Sequence, residues 1–174
     1  MPSSNGDSAS LIEVGRLGAD RWEEHKALRL EALESDPTAF GSSVSDEATL
    51  SESDWQRRAG NALFAFADGK LVGTIAIIVS SKPKTKHVAE IFGVYVKASQ
   101  RRKGIGKLLL EKALEELGRN PEVEKIRLTV NPEQRAALAL YRRAGFHEVG
   151  TLHRELKVGD RYYDELIMEK QIRT

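Results

Sequence analysis

The stretch that most restricts the fold is residues 87–118. A β-branched run over residues 87–96 passes through the basic, glycine-broken junction Arg101-Arg102-Lys103-Gly104-Ile105-Gly106-Lys107 into a helix. That helix carries Ile105, Leu108, Leu109, Leu110, Ala113, Leu114 and Leu117 with charges between them, and it stops at Gly118. Apolar residues at this spacing form one stripe, which must be buried against another element. A strand running into such a helix therefore calls for a sheet with the helix lying on its face. Gly93, inside the strand, marks a bulge or a close backbone approach.

The rest of the chain supplies that sheet. Residues 63–66 and 71–79 are two further β runs on either side of Asp68-Gly69, a pair suited to a type I′ turn because both central positions need positive φ. Residues 123–130 form another strand, after which Asn131-Pro132-Glu133 opens a helix with Ala137, Leu140, Tyr141 and Ala144 on one face, closed by Gly145. Residues 146–156 and 162–168 flank Gly159-Asp160 as a second hairpin. Upstream, residues 11–17 read as a short strand. Asp20 caps a helix that ends at Asp36-Pro37, residues 40–50 read as a loop, and Ser53-Asp54-Trp55 opens a second helix. The order β-α-α-β-β-β-α-β-α-β-β predicts one α/β domain of the α+β type, over residues 11–174. Its mixed, mostly antiparallel sheet has about seven strands, with about four helices on its faces.

Composition narrows the chemistry. A chain of 174 residues is one ordinary domain, able to bury roughly two thirds of its surface without staples. Having no cysteine, it has no disulfide, no cysteine nucleophile and no thiolate metal site, and with four histidines no metal is expected. Twenty-seven Lys and Arg against 26 Asp and Glu give a net charge of +1, too balanced for a protein that tracks nucleic acid. Residues 1–10 are rich in Ser, Asn and Gly and lack a basic or apolar leader, so they read as a disordered tail on a cytoplasmic protein that neither spans nor binds a membrane.

Unsatisfied N–H groups, the positive end of a helix dipole and four nearby cations make the junction at residues 101–107 an anion site suited to a pyrophosphate. A Walker A loop fits poorly, because Lys107 is followed by Leu108 rather than Ser or Thr and Arg101 stands where the first glycine belongs. A dinucleotide fingerprint fails at Leu109, where its third glycine would be. The bland alternative is a glycine-rich helix start with solvated charges.

Arg101-x-x-Gly104-x-Gly106 after Val94-Tyr95-Val96 resembles the coenzyme A pyrophosphate loop of the GNAT superfamily of N-acetyltransferases. Asn131, followed by a helix that reads Leu140-Tyr141 and closes on Gly145-Phe146, is similar to the superfamily's second signature. Element order extends the resemblance over roughly residues 10–170, and the Arg161-Tyr162-Tyr163-Asp164 portion looks like a bacterial branch whose members commonly have no assigned acceptor. The resemblance implies an N-acetyltransferase that moves an acetyl group from acetyl-CoA directly to a primary amine, on a small molecule or a peptide. Coenzyme A is then a cosubstrate.

It also implies residue roles. Cofactor contacts would come from Val94, Tyr95, Val96, Arg101, Arg102, Lys103, Gly104, Ile105, Gly106, Lys107 and Asn131. The backbone amides of Val94 and Val96 would serve next to the bulge at Gly93, while Asn131 could equally be a helix cap. Tyr141 would be the general acid that protonates the departing thiolate, against the alternative of a core aromatic. Glu90, six residues before Val96, would be the base, against a cross-strand glutamate, with His87 and His153 as substitutes. Arg29, Phe40, Trp55, Tyr162 and Asp164 would stand near the acceptor. A non-catalytic acyl-CoA binding or sensing module is the rival from another class. A homodimer is an open assembly state.

Overall fold

The structure, a computed structural model, describes residues 11–173; the N-terminal tail expected over residues 1–10 lies outside the described residues. Seven strands form one sheet: β1 (Ile12–Gly15), β2 (Ala62–Ala67), β3 (Lys70–Val79), β4 (Val88–Val96), β5 (Lys125–Val130), β6 (His147–Val158) and β7 (Arg161–Gln171). Their spatial order is β1-β2-β3-β4-β5-β7-β6. Every neighbouring pair is antiparallel except β4 and β5. The Asp68-Gly69 turn has φ of 49° and 77°, the two positive angles a type I′ turn requires. At the second hairpin only Gly159 is left-handed, so there the glycine serves the first central position.

Five α-helices sit on the two faces: α1 (Trp22–Ser35), α2 (Val44–Glu47), α3 (Glu52–Gly60), α4 (Ile105–Arg119) and α5 (Arg135–Arg143). Leu109, Leu110 and Leu117 of α4 and Leu138 of α5 are buried with Ile126 and Met168 of the sheet in one core. Leu28 and Leu33 of α1 and Ala59 of α3 are buried with Phe64 and Leu71 in the other. Each fully buried leucine contributes roughly 1.5–3 kcal/mol by leaving water.

Three local expectations are corrected. The loop expected over residues 40–50 holds the one-turn α2, because the Ser43 hydroxyl and the Asp46 carboxylate cap each other's backbone. The helix expected to open at Ser53 begins at Glu52, with Ser51 as the capping residue. Asp20 caps nothing: it lies in a 3₁₀ turn, and α1 starts without a side-chain cap.

Helix α2 matters because it carries Glu47, a carboxylate only 2% exposed. Arg29 of α1 holds both its oxygens at 3.0 and 2.9 Å, and Arg58 of α3 approaches at 3.0 Å. Burial alone would push this carboxyl up, but the two guanidinium groups win and hold it below the usual carboxylate range. Beside it His25 is packed edge-on against Trp55 and Phe64, where burial lowers its imidazole to about 4 and keeps it neutral near pH 7. The network fixes Arg29 over the ring of Phe40, 4.8 Å from its centre.

Candidate active site

Strand β4 builds the site by leaving its neighbour. Thr74 pairs with Tyr95 and Ala76 with Phe92, so Gly93 and Val94 together oppose Ile75 alone, a bulge with Gly93 at φ 60°. The bulge expected at Gly93 is therefore present. A side chain there would be strained by the angle, and its Cβ would stand 3.6 Å from the Arg29 guanidinium. On the other edge, β4 pairs with β5 only from Val88 to Glu90, and beyond that point the two parallel strands part. The Lys97 N–H donates to the Val72 carbonyl on the β3 side. Backbone groups alternate along a strand, so the N–H groups of Val96 and Val94 point into the gap toward β5.

The junction after β4 completes the cleft. Arg102 and Gly104 take left-handed φ of 62° and 79° and turn the chain into α4. Among the described residues, no backbone N–H from 102 to 107 has a hydrogen-bond partner. These are the donors a helix start leaves free, and here the alternating backbone gathers them into a concave nest. A Cβ at Gly104 would meet nothing within 4 Å, so the space before the nest is open. The cleft has a volume of about 790 Å³ and is lined by this nest, by Val94 and Val96, and by Asn131, Leu140 and Tyr141.

Side chains divide between building and facing the cleft. Arg101 is committed to the scaffold: its Nε donates to the Val96 carbonyl at 2.9 Å and its Nη2 to the Asp36 carboxylate. The Tyr95 hydroxyl contacts Ser35 and Glu31 on the α1 side, and Ile105 is 2% exposed, so each offers the cleft only its backbone. Asn131 spends both ends of its amide, donating to the Thr38 carbonyl at 3.2 Å and accepting from the Glu133 N–H at 2.9 Å. It closes a turn ahead of α5, which begins at Arg135 rather than at Pro132 as expected. Arg102, Lys107 and Arg143 line the cleft, and Lys103 is held at its edge by Gln100.

Tyr141 lines the cleft as a buried residue. Its ring meets Phe146 edge-on with centroids 6.1 Å apart, and burial pushes its hydroxyl up to about 12. The hydroxyl has no hydrogen-bond partner among the described residues, and the residue lines the cleft. It is a neutral donor in the wall of the cleft.

A smaller pocket of about 300 Å³ lies on the α1 face of the sheet, lined by Glu90, Arg127, Leu128, Thr129, Leu152 and Ile167. Thr129 borders both cavities. Glu90 faces this pocket and is ion-paired with Arg127, the residue directly across the parallel ladder. His87 and His153 line neither cavity, and His153 is bound to Asp164 at 3.1 Å. Of the residues expected near the acceptor, Phe40 lines the cleft and Trp55 is fully buried in the core. Sequence reasoning missed Arg143, Arg127 and Thr129. For the latter two the signal was present: Lys125, Arg127 and Thr129 alternate with buried Ile126, Leu128 and Val130, so a single β5 face had to be polar.

A family model described as the acetyltransferase (GNAT) family matches residues 26–146, and the chain belongs to this family. It is an acetyl-CoA-dependent acetyltransferase. It is 29% identical over 121 residues to the L-amino acid N-acetyltransferase AaaT of Escherichia coli strain K12, spanning 67% of this chain and 74% of that protein. A GNAT-family acetyltransferase from Streptococcus pneumoniae superimposes with a TM-score of 0.82 at 24% identity, covering 93% of this chain and 99% of that one. A Salmonella typhimurium acetyltransferase solved with its cofactor acetyl-CoA superimposes at 0.81 with 16% identity, covering 95% and 96% of the two chains. The expected α/β fold is thus the observed one. Among the described residues there is no cluster of ligands for a metal ion, and no helix is long and apolar enough to cross a membrane.

Proposed function

We propose that acetyl-CoA occupies the cleft with its pyrophosphate on the amides of residues 102–107, and that the acetyl group passes to a small primary amine admitted through the Glu90–Arg127 pocket. The observation that carries this reading is the run of unbonded amides opening onto a cleft that is also lined by a tyrosine with an unbonded hydroxyl. The nest and dipole favour an anion, and Arg102, Lys103, Lys107 and Arg143 add positive charge around it. The N–H groups of Val94 and Val96 would hold the pantetheine arm and polarise the thioester oxygen.

Acetyl-CoA supplies an acyl group activated as a thioester. Tyr141 then donates its proton toward the leaving sulfur. A donor near 12 is mismatched with an ordinary thiol near ~8.5, by about 4–5 kcal/mol if the proton moved in the resting state. The same dry surroundings raise the basicity of a thiolate formed there, which narrows the gap as the carbon–sulfur bond lengthens. Glu90 orients Arg127 at the pocket mouth, leaving a guanidinium that suits the carboxylate of an amino acid. The likeness to an L-amino acid N-acetyltransferase supports an acceptor of this kind.

Thiol release from acetyl-CoA in the presence of a panel of amines tests the proposal. Small α-amino acids are expected to accelerate release, and tertiary amines to have no effect. Tight coenzyme binding with no acceleration by any amine would overturn it in favour of a sensing module.

A further inference from the structure

We infer that Glu165, on β7, is the group that takes the proton from the acceptor's ammonium, an inference that rests on the acceptor pocket proposed above. The placement follows from register. Thr129 pairs with Ile167 and Val130 with Leu166, while Leu152 of β6 pairs with Glu165. Val130 belongs to the α4 core, so Thr129 and Ile167 face the other way, into the acceptor pocket. Glu165 lies two residues from Ile167 and shares its face. It therefore stands beside Thr129, the residue that borders both the pocket and the cleft.

Its surroundings separate it from the ion-paired carboxylates of the same strands and of the loop after β5. Glu90, Glu133 and Glu169 are each tied to a cation, by Arg127, Arg161 and Lys125. Glu165 has no ion-pair partner among the described residues and is half-buried. The groups set against it are the Thr129 hydroxyl of β5 and Glu155 of β6, with Tyr163 two residues away on its own strand. Burial holds its carboxyl above the usual carboxylate range, outweighing the opposing hydrogen bond of Thr129, and the negative charge of Glu155 adds a lesser upward push. A carboxylate kept unpaired and partly dry is a better proton acceptor than one bound to arginine.

The proton balance closes. Glu165 takes one proton from the ammonium; the freed nitrogen lone pair forms the carbon–nitrogen bond, and the carbon–sulfur bond breaks with its electron pair on sulfur. Sulfur takes the Tyr141 proton. The nitrogen's second proton restores Tyr141 through water, and the proton on Glu165 leaves to solvent, so one proton is released per turnover.

Three variants and a titration test this. Glu165→Gln is expected to lower kcat/KM about 100-fold near pH 6–7 with the best amine of the panel, the deficit shrinking toward parity as pH approaches the amine's own pKa. Glu165→Asp, which keeps the carboxylate, should recover part of the loss. In the coenzyme-free protein, the carboxyl carbon assigned by its absence from Glu165→Gln should titrate in NMR above the ordinary ~4.3. A pH-independent ratio for Glu165→Gln, or a midpoint at or below the ordinary value, overturns the inference. So does a pH-dependent deficit found in Glu90→Gln and not in Glu165→Gln. Wild-type protein that acetylates no amine contradicts the acceptor reading instead, and the titration still decides the state of Glu165.

Discussion

Gly104→Asp is expected to weaken coenzyme A binding by on the order of 100-fold or more while leaving the fold intact. Gly104 stands at the start of α4 with φ 79°, and its Cβ position is open. Aspartate is among the residues that tolerate left-handed backbone, at a cost of roughly 1–2 kcal/mol, and a carboxylate at a helix N-terminus recovers part of that through the dipole. The same carboxylate would lie before the free amides of residues 102–107 and face the pyrophosphate. At about 5 Å and an effective dielectric near 20, each pair of like charges costs ~3 kcal/mol, reduced by salt. Gly104→Ala carries the conformational cost without the charge, so its affinity should fall only a few-fold. Calorimetry on both variants with thermal melts separates the two effects, and unchanged affinity in Gly104→Asp would remove the pyrophosphate from this nest.

Tyr141→Phe should lower kcat about 100-fold with little change in the KM for acetyl-CoA, the pattern of an interaction made mainly in the transition state. The substitution deletes an oxygen that has no hydrogen-bond partner among the described residues and keeps the ring against Phe146. No cavity and no orphaned partner result, so stability should hold within about 0.5 kcal/mol. A hydroxyl near 12 stays protonated through the working range, so ionisation of Tyr141 produces no alkaline loss of activity below about pH 11. Full activity in the phenylalanine variant would make Tyr141 a packing residue.

What is legible in the sequence follows from which signals are local. Asp68-Gly69 and Gly93 announced their turn and bulge because positive φ excludes most other residues. The glycine-broken start of α4 was legible for the same reason. Helix α2 escaped, since a single turn has no periodicity and its cap was hidden in a run of serines. The roles of Arg101 and Asn131 were equally out of reach. Each is set by a partner far along the chain, Asp36 for the arginine and Thr38 for the asparagine. Glu90 was found by position, but its Arg127 partner depends on the short parallel register of β4 with β5, which no local pattern encodes. Glu165 passed unnoticed because only the pairing of β7 with both β5 and β6 brings it to Thr129.

The central claim is that one cleft holds the phosphates at the α4 start and the reacting sulfur at Tyr141, and a crystal structure of the chain with coenzyme A tests it most directly. Phosphate oxygens are expected within about 3.5 Å of the amides of residues 102–107 and the sulfur within hydrogen-bond reach of the Tyr141 hydroxyl, in the gap where β4 leaves β5. Coenzyme bound outside this cleft, or its sulfur turned away from Tyr141, would contradict it.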